Sequence, residues 1–245
     1  AGKYMLQASL RADAADLSYL PLEKRWGYFP AVSAGWTISE ENFFIPLRDV
    51  VSSLKLRASW GQNGSLAALA SNLYGYGTTM VTAGYYPFVP GNNYTTGIRP
   101  NSLGNDELKW ETSEQINVGL DARLFNDRLT LSMDWFNKKT KDLLITGTTP
   151  SLIIGGTTSP INAGNVSNKG FEFEIGWRDN IGDFNYSIKG NLATLKNKVT
   201  YLDPSLTRAN GTTFHTNTIT YFEEGYPVYY FRGYRCEGIN PEDGE

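Results

Sequence analysis

The chain has 245 residues, 22 Lys+Arg against 25 Asp+Glu, and a formal net charge of −3. That balance gives no electrostatic footprint for nucleic acid. With one Cys (Cys236) and one His (His215), an internal disulfide and a Cys/His metal cluster are both excluded.

Taken in chain order, period-2 alternation dominates. In 4–11, Tyr4, Leu6, Ala8 and Leu10 oppose Gln7, Ser9 and Arg11. A weaker strand covers 28–38, and one turn of helix is expected near 40–44, with Ser39 as N-cap. In 54–60, Leu54, Leu56, Ala58 and Trp60 oppose Lys55, Arg57 and Ser59. The stretch 58–98 carries no charge but is broken by Gly, Pro, Asn and Thr, so it reads as a long loop. In 115–125, Ile116, Val118, Leu120, Ala122 and Leu124 share one face. In 128–135, Leu129, Leu131, Met133 and Trp135 do the same, opposite Thr130, Ser132 and Asp134. Strands at 171–178 and 184–192 follow, and a weaker one at 228–238 brings the count to about eight.

The connections alternate as well. Those at 39–53, 126–127 and 179–183 are short or intermediate, whereas 13–26, 61–110, 142–169 and 196–220 are long. Short turns at one end and long loops at the other are the habit of membrane β-barrels. Trp36, Trp60, Phe125, Trp135 and Trp177 near strand ends fit an interfacial girdle. Alternation by itself fits a soluble β-sandwich with one wet face equally well, and that reading stays open here. No run of about 18 apolar residues is present, so a transmembrane helix is not expected.

Chemistry-bearing patterns are sparse. The P-loop, nucleophile-elbow and zincin motifs are absent, so no catalytic residue, metal site or cofactor is predicted. Glu172 and Glu174 are paired carboxylates on one strand face, read as wall charges balanced by Lys or Arg on neighbouring strands. His215, in a Thr-rich loop, reads as a surface residue, and the acidic segment 240–245 lacks the spacing of a calcium loop. The uncharged loop carries Tyr74, Tyr76, Tyr85, Tyr86, Phe88 and Tyr94. Aromatic faces beside amides and hydroxyls suit a neutral, hydroxyl-rich ligand or a protein partner, and packing within the loop is the plainer alternative.

Several segments carry a resemblance. LGNDELKWET (103–112) runs into QINVGLD (115–121), LFNDRL (124–129) and DWFNKKTKDLL (134–144). WGYFPAVSAGW (26–36) with ISEE (38–41), LKLRASWGQNG (54–64), NVSNKGFEFE (165–174) and EGYPV (224–228) agree. In this order the set resembles the barrel of the SusC/RagA family of TonB-dependent outer-membrane transporters. The resemblance implies an all-β, antiparallel up-and-down transmembrane barrel of about 22 strands with long extracellular loops. Residues 1–245 would then be part of one barrel domain, with both ends reading as cut and the N-terminal plug and remaining strands elsewhere. It also implies the outer membrane of a Gram-negative bacterium and surrounding lipid. The implied partners are a SusD-like surface lipoprotein, the TonB complex and an oligosaccharide or oligopeptide cargo. A passive porin and a soluble binding module are the alternatives.

Overall fold

The computed structural model describes residues 2–89, 93–145, 157–215 and 217–233. Alternating residues pair as the pleat demands. In chain order the strands are β1 (Tyr4–Ala14), β2 (Trp26–Thr37), β3 (Val51–Ser65), β4 (Thr79–Val89), β5 (Asn93–Leu103), β6 (Glu111–Leu124) and β7 (Leu129–Ile145). There follow β8 (Thr157–Thr158), β9 (Ile161–Ile181), β10 (Phe184–Ala193) and β11 (Lys196–Leu202). Short pieces close the list: β12 (Ala209–Asn210), β13 (Thr213–Phe214), β14 (Asn217–Thr218), β15 (Thr220–Phe222) and β16 (Tyr230–Phe231). The main sheet has eight strands, ordered β1-β2-β3-β6-β7-β9-β10, with β11 also on β9. Every neighbouring pair in it is antiparallel.

The stretch 58–98, read as a long loop, holds the end of β3, all of β4 and the start of β5. Two further expectations are corrected. The eighth strand is β11, inside what reads as a long connection at 196–220. It holds the same register against β9 as β10 does: Ala193 faces Glu172 and Lys196 faces Lys169. The two form one strand interrupted at Thr194, whose Oγ1 accepts from the Phe171 amide at 3.0 Å. At 228–238, only Tyr230–Phe231 pairs, with β15 in a small separate ladder, and 234–238 lies outside the described residues. The second correction is the turn near 40–44. It is two 3-10 helices, Ile38–Glu40 and Asn42–Leu47. Ser39 lies inside the first and does not cap; its carbonyl accepts from Arg48 Nε at 3.0 Å and Nη2 at 2.7 Å. Extended backbone at Glu41 separates the two helices, and its carboxylate is drawn away from capping. It accepts from Tyr4 Oη (2.5 Å), Trp36 Nε1 (3.2 Å) and Lys3 Nζ (3.3 Å).

The two remaining turns are tight for local reasons. Phe125, Asn126 and Asp127 all have positive φ, which Asn and Asp tolerate best. The Gly182-Asp183 pair joins β9 to β10, with φ of +60° at Gly182 alone, the requirement of a type II′ hairpin. Residues 38–50, 125–128 and 182–183 thus lie at one end of the sheet. At the other end β1, β3 and β7 finish and β2, β6 and β9 begin.

Pairing sorts side chains into two faces. On one, Tyr4, Trp36, Leu56, Leu120, Met133, Phe173 and Leu192 stand side by side across seven strands. Leu6, Ala34, Ala58, Val118, Trp135 and Phe171 form the next row. One residue out of step, Gln7, Ser33, Ser59 and Asn117 line the other face. The apolar face is not a core. Leu6 is 80% exposed and Leu192 65%. Among the described residues the buried clusters lie at the long-loop end instead: Ala15, Leu20, Leu69, Leu108 and Leu144 in one, and Val166, Val199, Leu202, Leu206 and Phe222 in the other. An apolar surface this continuous requires an apolar surrounding.

Two measurements check this arrangement. Leu120→Arg sets a charge within the apolar band and should cost about 2–4 kcal/mol of folded full-length protein if it lies at midplane. Asn117→Arg, on the other face, should leave the heat-modifiable band on gels nearly unchanged. The Tyr4 hydrogen bond, followed by those of Trp36 and Lys3, holds the Glu41 carboxyl below the usual carboxylate range. Its contribution is therefore present above the ordinary glutamate range and lost as pH falls through the lowered value. With the intrinsic slowing of exchange at low pH divided out, protection across 38–50 should fall as pH drops from about 7 to about 3, and Glu41→Gln should remove that fall.

Candidate functional site

The polar face is organised around one cation. Arg57 on β3 sends Nε to Asp121 Oδ2 at 2.6 Å and Nη2 to Asp121 Oδ1 at 3.0 Å. The same Nη2 reaches Asp134 Oδ2, two strands away, at 3.0 Å. Ser132 Oγ donates to Asp121 at 2.9 Å. Register explains the reach: Arg57 faces Gly119, which faces Asp134. A Cβ at Gly119 would lie 2.2 Å from Asp134 Oδ1 and 2.9 Å from Arg57 Cζ, so the guanidinium crosses β6 only because nothing stands there. The bidentate fork gives geometric precision, while partial exposure and water screen its energy.

Glu172 and Glu174 sit on the same face of β9, across from Asp134 and Ser132. Among the described residues neither forms an ion pair within 4.0 Å. The expected balance by neighbouring Lys or Arg is not met as a contact: the same-face cation on the adjacent strand, Lys189 of β10, stands opposite Gly176 rather than opposite either carboxylate. Toward the long-loop end the face is hydroxyl and amide. Gln7, Ser33, Ser59, Asn63, Gln115 and Asn117 line a shallow concavity of about 470 Å³. Gln115 Nε2 donates to Asn117 Oδ1 at 2.9 Å, and Arg11 Nη2 to Asn63 Oδ1 at 2.7 Å. Such a surface can exchange hydrogen bonds with a neutral polar solute. Among the described residues no His/Cys/Asp/Glu group could hold a metal.

The long connections meet at their common end. Of the six loop aromatics, Tyr74 and Tyr76 come together, ring centroids 6.3 Å apart. They differ in role. Tyr76 donates its hydroxyl to Leu17 O at 2.9 Å and packs on the Leu20, Leu69, Leu108 cluster, so it anchors. Tyr74 is held by its amide to Ser18 O at 2.6 Å and is itself 53% exposed. Tyr85 and Tyr86 fall on β4 opposite Thr96 and Thr95 of β5. Phe88 lies on β4 and Tyr94 on β5. The side chains of these four lie outside the described residues.

Other residues do the joining. Trp110 Nε1 donates to Arg25 O at 3.2 Å, and its ring meets Phe29 edge-on at 5.6 Å. Arg11 lies over Phe29 at 5.4 Å. Lys24 Nζ reaches Asp106 O at 2.8 Å and Glu107 at 3.1 Å. Asn105 Nδ2 donates to Pro160 O at 3.0 Å, and Ser159 Oγ to Gly75 O. Three connections are thereby tied into one body. Their sequence signal is limited to the quoted motif segments that hold Phe29, Asn105 and Trp110. His215 is exposed at a hairpin tip against Phe214, as read. Cys236 and 240–245 lie outside the described residues.

A family model described as TonB dependent receptor-like, beta-barrel, matches residues 1–235. TonB-dependent receptor P3 of Formosa agariphila is 33% identical over 247 residues, which cover 98% of this chain and 23% of that protein. TonB-dependent receptor SusC of Bacteroides thetaiotaomicron is 31% identical over 242 residues, covering 93% and 23%. The structure of the RagAB peptide importer in its closed-closed state aligns with a TM-score of 0.74 at 26% identity, covering 91% of this chain and 23% of that one. The chain therefore spans less than a quarter of the length of these relatives.

Gly119→Val should drive Arg57 and Asp134 apart and cost about 1–3 kcal/mol, read as a lower urea midpoint of the full-length protein. Gly190→Ala, whose Cβ would meet only an Ile175 methyl at 3.7 Å, should leave the midpoint in place.

Proposed function

Given that the chain belongs to the TonB-dependent receptor-like β-barrel family, we propose that it is part of the wall of a SusC-like importer in the outer membrane of a Gram-negative bacterium. The importer takes up an oligosaccharide or oligopeptide, draws on the TonB complex through parts beyond this segment, and works with a SusD-like surface lipoprotein at its outer mouth. The observation that carries the reading is the two-faced sheet. One face presents apolar rows to lipid, and the other presents Arg57, Gln115 and Asn117 to a watery interior. Both SusC and the RagAB peptide importer are similar to the chain over more than nine-tenths of it, which supports import of a large polar nutrient. A passive pore would share the wall, but the relatives favour the energised importer. A sandwich module would need a second layer over the leucines, and no described residue supplies one.

No bond is broken in this scheme. The inner wall offers hydrogen bonds to a passing solute without a deep pocket that would trap it. At the outer end, the tied loop body with Tyr74, Tyr76 and the β4–β5 hairpin presents the surface for cargo or the lipoprotein. Tyr85, Tyr86, Phe88 and Tyr94 belong to the same proposal, because all four lie on that hairpin.

Topology gives the test. In the full-length protein, a tag at Gly84 should be reached by antibody on whole cells, and a tag at Asp127 only after the outer membrane is opened. Deleting 79–103 should lower uptake or lipoprotein association while the barrel still assembles. Labelling of both tags on intact cells, or of the Asp127 tag alone, overturns the topology and the function built on it.

A further inference from the structure

On β7, β9 and β11 the outward face turns basic just beyond the row of Trp135 and Phe171, whereas Ala8, Val32, Trp60 and Ile116 keep the same rung apolar on β1, β2, β3 and β6. Trp135 and Phe171 face each other in that row. One rung further, Asn137 faces Lys169, which faces Lys196; the next holds Lys139, Ser167 and Lys198. Each rung is about 7 Å along the strand, so four lysines stand within a patch directly above the apolar band. Their parity along β7, β9 and β11 is that of Met133, Phe173 and Leu192, so they are on the outward face. All four are exposed.

The patch is built against its own charge. Lys169 and Lys196 are directly opposite, with Cβ atoms about 5 Å apart, an arrangement that disfavours the sheet by itself. Among the described residues, no carboxylate lies within 4.0 Å of any of the four. Glu114, across from Lys139, is the nearest acidic residue by register, and its carboxylate is taken by Lys141 at 2.7 Å and Trp60 Nε1 at 3.0 Å. Asp142 is likewise taken by Lys109 at 2.9 Å. Glu114 still feels Lys139 electrostatically, but an anion arriving from outside the sheet would meet four exposed ammonium groups with no carboxylate in contact. The place limits what it is: lysines at the edge of an apolar band stand at headgroup depth, on the side where the long loops emerge.

We propose that Lys139, Lys169, Lys196 and Lys198 form a site for the phosphate of an anionic lipid in the outer leaflet, whose acyl chains lie along Trp135, Phe171 and Leu192. The inference rests on the membrane topology proposed above. Asn137 and Ser167, interleaved with the lysines, add neutral polar contacts to the same headgroup. The ammonium groups meet phosphate as point charges, so the site selects for charge and depth rather than for one sugar or glycerol scaffold.

The experiment uses the full-length protein in a neutral detergent, with bound lipid counted by native mass spectrometry. The probes are a bisphosphorylated glucosamine-disaccharide lipid, the same lipid after phosphatase treatment, and inorganic phosphate. The phosphorylated lipid should bind, and the dephosphorylated lipid should bind about tenfold more weakly. Inorganic phosphate should not displace it, because the acyl contacts are then missing. Lys169→Gln/Lys196→Gln should lose about tenfold in lipid affinity, Lys169→Arg/Lys196→Arg should keep it, and Lys189→Gln on the inner face should keep it. Equal binding of the two lipids, undiminished binding by the Gln pair, or efficient displacement by inorganic phosphate overturns the site. If the Gly84 tag still labels on intact cells in that event, the topology stands and only the lipid site falls. Should the Gln pair fail to fold, the phosphatase comparison on the unmodified protein decides alone.

Discussion

In hydrocarbon a backbone N–H or C=O has no water to turn to, so every one must find a partner in the protein. Much of this structure follows from that constraint. It forces strands to pair along their whole length and makes the strand the unit that crosses. It also ties the two faces together, since successive side chains point opposite ways. A one-residue slip of β3, β6 or β7 would turn that strand's Arg57, Asp121 or Asp134 to the apolar face and its Leu56, Leu120 or Met133 to the polar one. Register is thus specified by burial of charge as much as by burial of leucine.

The same constraint explains what was legible in the sequence. Where a strand crosses the apolar band, one face must be apolar and the other is polar, and the alternation in 115–125, 128–135, 171–178 and 184–192 gives the strand away. Outside the band both faces meet polar surroundings, and the pattern fades although the pairing continues. That is why β3 runs on to Ser65, β7 to Ile145, and β9 begins at Ile161, all inside segments that read as loops. It is also why β11 was hidden: its outward residues are Lys196 and Lys198. The β4–β5 hairpin escaped for another reason. Its register is interrupted three times, so no steady period exists to be read.

Site residues show the same division. An interior with hydroxyls, amides and both charge signs could be inferred from strand parity. The reach of Arg57 to Asp134 could not, because it joins positions 77 residues apart through the emptiness at Gly119. Nor could the difference between Tyr74 and Tyr76, two neighbouring aromatics of one composition. It is settled by Leu17, which offers Tyr76 a carbonyl from another connection. Family motifs located the loop-joining Phe29 and Trp110 without saying what they do there.

The β4–β5 hairpin has a bearing on how the wall is put together. Most neighbouring strands are also close along the chain, and each can find its partner by a short search. The seam between β3 and β6 is different, since 45 residues, 66–110, separate its two edges. A hairpin that forms first within that stretch takes its own residues out of the search and brings 78 beside 104. The loop left to close is then about 20 residues long, and the entropy of closure falls by roughly 0.7 kcal/mol. Formed before the seam closes, the β4–β5 hairpin would shorten the longest search in this sheet.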